Sequence, residues 1–84
     1  MIVQVFAVRD VKAETFGQPF FSLQRGMAIR SFADECANKE SPWCKHPEDF
    51  ALFHLGAYDD QAGSLISLEQ PEKIAHAMDY QTQH

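Results

Sequence analysis

The N-terminal segment Ile2–Val8 constrains the fold more than any other part of this 84-residue chain. It is rich in β-branched residues and alternates as a strand does, with one face formed by Ile2, Gln4, Phe6 and Val8 and the other by Val3, Val5 and Ala7. Both faces are mostly apolar, which is typical of a central strand or of an edge strand covered by another subunit. The sequence therefore predicts a sheet built around this segment.

The predicted partners of that strand lie late in the chain. Phe50–Tyr58 has the pattern of a second strand, and Ser64–Leu68 has the pattern of a third. Between them, Asp59–Gly63 supplies acidic turn formers and then a glycine, which adopts the left-handed conformation at no steric cost. This order predicts an antiparallel β-hairpin.

The middle and the end of the chain have other patterns. Gly26–Asn38 places apolar residues at helical spacing, and Gln18–Leu23 is an apolar edge segment or arm because Pro19 cannot donate to a ladder. Lys39–Asp49 contains two prolines and is predicted as a loop, in which Pro47 can open a single helical turn. Pro71–Tyr80 begins with proline and is predicted as a short helix.

These elements predict an α+β fold in one domain, residues 1–84. The N-terminal strand and the C-terminal hairpin form a small antiparallel sheet, one helix packs on a face of it, and a short C-terminal helix follows. A chain of this length buries only a modest core, which a partner subunit would enlarge.

The charge balance excludes some functions. Seven Lys and Arg against twelve Asp and Glu give a net charge of −5. A protein that coats nucleic acid by counterion release should be basic, so this balance disfavours genome condensation but leaves room for a local binding face. No transmembrane helix or signal peptide is recognisable, so we expect a cytosolic protein with reduced thiols and no membrane partner.

Metal and nucleophile chemistry have little support in the sequence. Cys36, Cys44 and His46 form the one metal-like cluster, but structural zinc takes four ligands and the second pair is missing. Cys36 also falls on the apolar face of the predicted helix, where a small buried side chain is the simpler interpretation. For Cys44 and His46 as a nucleophile and its base, no orienting acid is identifiable.

The remaining polar candidates have structural explanations. Adjacent acids such as Asp59 and Asp60 are favoured in turns because their side chains accept local backbone hydrogen bonds. His54 is expected to be half-exposed, or hydrogen-bonded across a strand. We therefore predict a protein that is not an enzyme and that has no metal or other cofactor.

Aromatic and cationic residues interleave in the middle of the chain. Proteins that bind single-stranded DNA combine aromatic platforms with a cationic track. The candidate nucleic-acid-binding residues are Phe20, Phe21, Arg25, Arg30, Lys39, Trp43 and Lys45. In the competing interpretation, Phe20 and Phe21 pack in the core or a dimer interface and Trp43 holds its loop. From the residues alone, formation of an oligomer is favoured over nucleic-acid binding.

Several runs of the sequence resemble one known family. They are Gln18–Phe21 (QPFF), Ala28–Asp34 (AIRSFAD) after Gly26, Lys45–Phe53 (KHPEDFALF), and Tyr58–Asp60 with Gly56 and Gly63. Together they are similar to the small non-structural protein of gokushoviruses, which are single-stranded DNA phages of the microvirus group. The resemblance covers most of the chain and is weakest over the C-terminal PEKIAHAMDYQTQH.

The resemblance implies a counterpart of the microvirus packaging protein, which acts when replication switches to single-strand synthesis with packaging into procapsids. Members of the family are often labelled DNA-binding, and the resemblance carries over no catalytic residue. It implies that Lys45–Asp49 fixes the loop entering the second strand and that Asp59, Asp60 and Gly63 form the hairpin turn.

We therefore expect a non-enzymatic phage accessory protein in the host cell cytoplasm, absent from the mature virion. It would bind single-stranded DNA or the viral replication complex as a homo-oligomer. The alternative is an adaptor that recruits a viral initiator or a host replication factor through a sheet edge or the QPFF arm, without contacting DNA.

Overall fold

An antiparallel sheet surrounds the N-terminal strand in the computed structural model, which describes residues 1–80. Its five strands are β1 (Ile2–Asp10), β2 (Thr15–Phe16), β3 (Phe20–Ser22), β4 (Phe50–Asp59) and β5 (Ser64–His76). β1 pairs with β2 and β3 on one side and with β4 on the other, and β4 pairs with β5. The predicted α+β fold is confirmed, and of the two positions left open for the first strand the structure shows the central one.

The main helix covers one face of this sheet. Helix α1 (Arg25–Cys36) buries Ala28, Phe32 and Cys36 against the sheet residues Phe6 and Leu52. The remaining buried members of this cluster are Val8, Ala75 and Ala77. The helix therefore starts and ends close to its predicted bounds. Of its apolar residues at helical spacing, Phe32 and Cys36 are buried, whereas Met27 is 51% exposed.

The hairpin between β4 and β5 forms as predicted. Gly63 has φ +67°, in the left-handed region, and its N–H donates to the Asp59 carbonyl oxygen at 2.8 Å. The Asp59 carboxylate accepts a hydrogen bond from the Gln61 N–H at 3.0 Å, so the Asp59 side chain stabilises the turn.

Gly56 lets the two hairpin strands approach closely. A Cβ at this position would overlap the Ile66 carbonyl oxygen, and it would lie 3.0 Å from the Ile66 carbonyl carbon and 3.1 Å from Ser67 Cα. The register also shifts beside it, because His54 pairs with Glu72 whereas Gly56 pairs with Ser67. Four residues of β5, 68–71, thus bulge opposite Leu55 alone.

The predicted short helix over Pro71–Tyr80 is wrong for most of its length. β5 continues to His76, with Ala75 paired to Leu52, and only Ala77–Tyr80 forms a 3₁₀ turn. Pairing with β4 and burial of Ala75 outweigh the helical signal of an N-terminal proline, and Pro71 is tolerated because it lies in the bulge of an edge strand.

The predicted loop before β4 contains two short helical pieces. Helix α2 (Pro42–Lys45) begins after Ser41, whose hydroxyl accepts from the Trp43 N–H at 3.1 Å, and a 3₁₀ turn covers Pro47–Asp49 as the proline indicated. The Asp49 carbonyl accepts from the Val11 N–H at 2.8 Å, which fixes the loop beside the end of β1.

Within residues 1–80, no helix combines the length and the apolar character needed to cross a membrane.

Candidate functional site

A groove of about 770 Å³ lies between β3 and the first turns of α1. β3 is short and pairs with β1 only from Gln4 to Phe6, and the Ser22 hydroxyl donates to the Gln24 carbonyl at 3.1 Å where the chain bends into α1. The side chains that matter most for its chemistry are Phe20, Phe21, Leu23, Met27, Arg30 and Ser31.

A smaller cavity of about 290 Å³ adjoins this groove along α1. Phe20 and Ser31 line both spaces, and Glu35 and Trp43 line the smaller one. We call the two together the β3–α1 groove. Phe20 and Phe21 therefore line the larger space, and Phe20 and Trp43 line the smaller one. Phe20 and Phe21 are neighbours on β3, and their rings pack on opposite faces of the sheet, against Phe6 and Tyr58.

These three rings differ in how far the core holds them. Phe20 is half-buried with its ring centroid 5.8 Å from that of Phe6, and the Trp43 centroid is 5.3 Å from that of Phe32. Phe21 is 57% exposed and touches Tyr58 at a centroid distance of 5.7 Å. Phe20 and Trp43 are thus partly committed to packing, whereas Phe21 is available to a ligand.

The candidate cations are not gathered in one place. Arg30 is exposed and lines the groove, whereas Lys39 lies in the turn after α1 and Lys45 at the end of α2, both exposed and outside the groove. Arg25 donates instead to the carboxylate of Glu72 and to His54 Nδ1, at 3.3 Å from Nε. The structure therefore brings together four of the seven candidate residues, Phe20, Phe21, Arg30 and Trp43.

The Arg25 contact belongs to a chain of polar groups across the sheet. His54 is 7% exposed, and its Nε2 lies 2.8 Å from Gln4 Oε1 and 3.0 Å from the Gly56 carbonyl oxygen. Since a guanidinium only donates, Nδ1 accepts and the ring proton is on Nε2. The Phe6 ring stacks on the imidazole at 4.9 Å. The predicted cross-strand hydrogen bond of His54 is confirmed.

Glu72 is the member of this polar chain that the sequence did not reveal. Its segment was predicted to be helical, and no local pattern marks it as a partner of a residue 47 positions earlier. Gln4 lies in the predicted first strand, but its hydrogen bond to His54 forms only because β1 pairs with β4 in the folded chain.

The cysteines and the nearby turn behave as local structure predicts. Both thiols are free, and burial raises the pKa of Cys36 to about 11. Cys36 therefore acts as a small apolar side chain on the face of α1 that packs against the sheet. The side-chain ligand atoms of His46, Glu48 and Asp49 lie within 4.8 Å of one another. The 3₁₀ turn Pro47–Asp49 brings them together by itself, and its carboxylates are largely solvated.

The fold and the groove define a small α+β sheet protein that presents an open, mainly apolar depression with one arginine at its side. The model of the Phage ORF5 protein family matches residues 3–80 of the chain. The protein therefore belongs to the Phage ORF5 family. No curated protein and no solved structure matches it.

Proposed function

We propose that this protein is a non-enzymatic accessory protein of a single-stranded DNA phage of the gokushovirus type. It acts in the host cytoplasm during genome synthesis and packaging, and it does not enter the mature virion. Membership of the Phage ORF5 family supports the phage assignment. The resemblance of the QPFF and KHPEDFALF runs to the gokushovirus non-structural protein supports the finer one.

The proposed activity is contact with single-stranded DNA through the β3–α1 groove. The observation that carries this proposal is that Phe20, Phe21 and Arg30 line the larger space of the groove and that Phe20 and Trp43 line the smaller one beside it. Bases stack on aromatic rings with a gain of about 1–3 kcal/mol each, and an adjacent guanidinium binds phosphate. Phe21 is the stacking platform because it is the most exposed of the three rings.

The charge of the groove sets how such binding depends on salt. Arg30 is the cation at its side, and Glu35 lines its smaller part, so stacking rather than phosphate neutralisation supplies most of the affinity. Each phosphate contact on a single strand contributes a slope of about −0.7 to log K against log salt. We expect a slope near −0.7 if Arg30 acts alone, and about −2 if Lys39 and Lys45 also reach the strand.

Fluorescence anisotropy with a labelled single-stranded oligonucleotide, at about 50 and 150 mM salt, tests this proposal. Phe21→Ala should weaken binding by about 5- to 150-fold, the equivalent of one lost stacked base. Arg30→Gln should reduce the salt slope by about 0.7. Val11→Ala is the matched control, since Val11 is 51% exposed but does not line the groove. Absence of binding at tens of micromolar protein in low salt would remove DNA contact as the direct activity.

A second candidate function is favoured by a different feature of the same groove. Leu23 and Met27 are half-exposed on its rim, and an unbranched methionine beside apolar side chains suits the docking of a polypeptide. The protein would then be an adaptor that recruits a viral initiator or a host replication factor to the DNA.

Binding of the purified phage initiator to the immobilised protein separates the two functions. The adaptor function predicts binding that Met27→Glu abolishes and that Val11→Glu leaves intact, together with no measurable affinity for the oligonucleotide. Oligonucleotide binding that is sensitive to Phe21→Ala, without any binding of the initiator, refutes the adaptor function.

A further inference from the structure

The tip of the β4–β5 hairpin exposes an unusual amount of apolar surface. Leu65 is 70% exposed, Ile66 55% and Leu68 38%, and all three lie on β5. With about 200 Å² for each large side chain, their exposed parts amount to roughly 330 Å², divided between the two faces of the strand. That is within the range of the largest patch on a typical monomer, and backbone pairing along the edge would add to it in an interface.

β5 is also the outermost strand of the described sheet on this side. Natural sheets protect such edges with charges, prolines and bulges. The second half of β5 has all three, in Glu69, Pro71, Glu72, Lys73 and the bulge over residues 68–71. The first part, Ser64–Leu68, is regularly paired with β4 up to Ser67 and contains neither a charge nor a proline. Protection is therefore missing only from the part of the strand that carries the apolar patch.

We infer that Ser64–Leu68 pairs antiparallel with the same segment of a second copy, so that the two sheets join into one. Antiparallel pairing of identical strands is two-fold symmetric, which closes the assembly at a dimer. Each chain carries a net charge of −5, but the uncharged segment lets two acidic chains meet without like charges in the contact. For the same reason, the segment offers no charge with which an acidic or basic segment of another protein could form an ion pair.

The register of the hairpin explains why both faces of the joined sheet would be covered. Leu65 pairs with Tyr58 and Ile66 with Ala57, so their side chains lie on opposite faces of the hairpin. In the dimer, Leu65 would contact the partner's strand on one face of the joined sheet, and Ile66 would contact it on the other face. The interface thus combines backbone hydrogen bonds with apolar contact on two sides.

Size-exclusion chromatography with light scattering on the full chain, from about 10 to 500 µM, tests this inference. The wild type should have twice the chain mass of 9.5 kDa. Leu65→Lys and Ile66→Lys place an edge-protecting charge on one face or the other, and each should raise the dimer dissociation constant at least tenfold. Val11→Lys is the matched control, because Val11 is also a half-exposed apolar residue but lies beyond the other end of β1, and it should leave the dimer intact.

Hydrogen exchange of the same four proteins provides a second readout that does not depend on mass. The outward amides of Ser64–Leu68 should exchange more slowly as wild-type concentration rises, whereas amides of α1 should not change. A monomeric wild type over the whole range, an assembly larger than a dimer, or a dimer that both lysine variants leave unchanged would each overturn the inference. None of these outcomes bears on DNA or initiator binding by the β3–α1 groove.

Discussion

Replacing Gly56 by alanine tests the close approach of β4 and β5 directly. The new Cβ would overlap the Ile66 carbonyl oxygen, so β5 must withdraw by about 1 Å over the pairs Gly56–Ser67 and Ala57–Ile66. Overpacking of this kind costs about 1–3 kcal/mol, and each weakened ladder hydrogen bond adds up to about 1 kcal/mol. We therefore expect the free energy of unfolding to fall by about 2–4 kcal/mol.

Thermal unfolding followed by far-UV circular dichroism measures this loss. For a domain of this size 1 kcal/mol corresponds to about 4–8 °C in Tm, so Gly56→Ala should lower Tm by about 10–25 °C. Gly26→Ala is the matched control, since a Cβ there meets nothing within 4 Å and lies in the first turn of α1. Its Tm should be unchanged or higher by a few degrees. A Tm for Gly56→Ala within about 3 °C of the wild type would refute the reasoning, since it would mean that β5 gives way without loss.

Three further predictions concern the cysteines and the phenylalanines of β3. At pH 8 a thiol reagent should modify the partly exposed Cys44 and leave the buried Cys36 unmodified, as mass spectrometry of the labelled protein would show; equal labelling of both thiols would contradict the burial. The folded protein holds the Cys36 proton more tightly than the unfolded chain does, because burial raises the thiol pKa from 9.0 to about 11. The free energy of unfolding from urea titrations should therefore be unaffected by this group below pH 9 and should fall as the pH rises towards about 11. A decline of the same size in Cys36→Ala would mean that another group causes it. Phe20→Ala should lower the free energy of unfolding by about 2–3 kcal/mol, since its ring packs against Phe6, whereas Phe21→Ala should lower it by less than about 1 kcal/mol; similar losses for both would mean that Phe21 is also part of the core.

The sequence predicted those elements whose signals are local. Alternation predicted the first strand, as a central strand or a covered edge, and the acidic turn with Gly63 predicted the hairpin. Helical spacing placed Phe32 and Cys36 on the buried face of α1. In each case the side-chain pattern and the backbone preference agree, so tertiary contacts only reinforce the local choice.

What the sequence could not predict depends on pairing between distant segments. The end of β5 is a strand because Ala75 packs beside Leu52 across the ladder, although Pro71 indicated the start of a helix. The role of Arg25 could not be read for the same reason, since Glu72 reaches it only through that strand. Of the seven predicted site residues, Phe20, Phe21, Trp43 and Arg30 line the groove, and their binding of nucleic acid stays a prediction.

The contact between Arg25 and Glu72 has a consequence for genetic studies of this phage protein. Arg25 is the first residue of α1, and the helix continues directly into the groove wall at Met27 and Arg30. Glu72 contacts the start of that wall, although it lies on another strand and does not line the groove. In a screen for the function proposed above, substitutions at Glu72 should therefore have weaker effects than those at Phe21, because an ion pair between half-exposed side chains contributes at most about 1 kcal/mol.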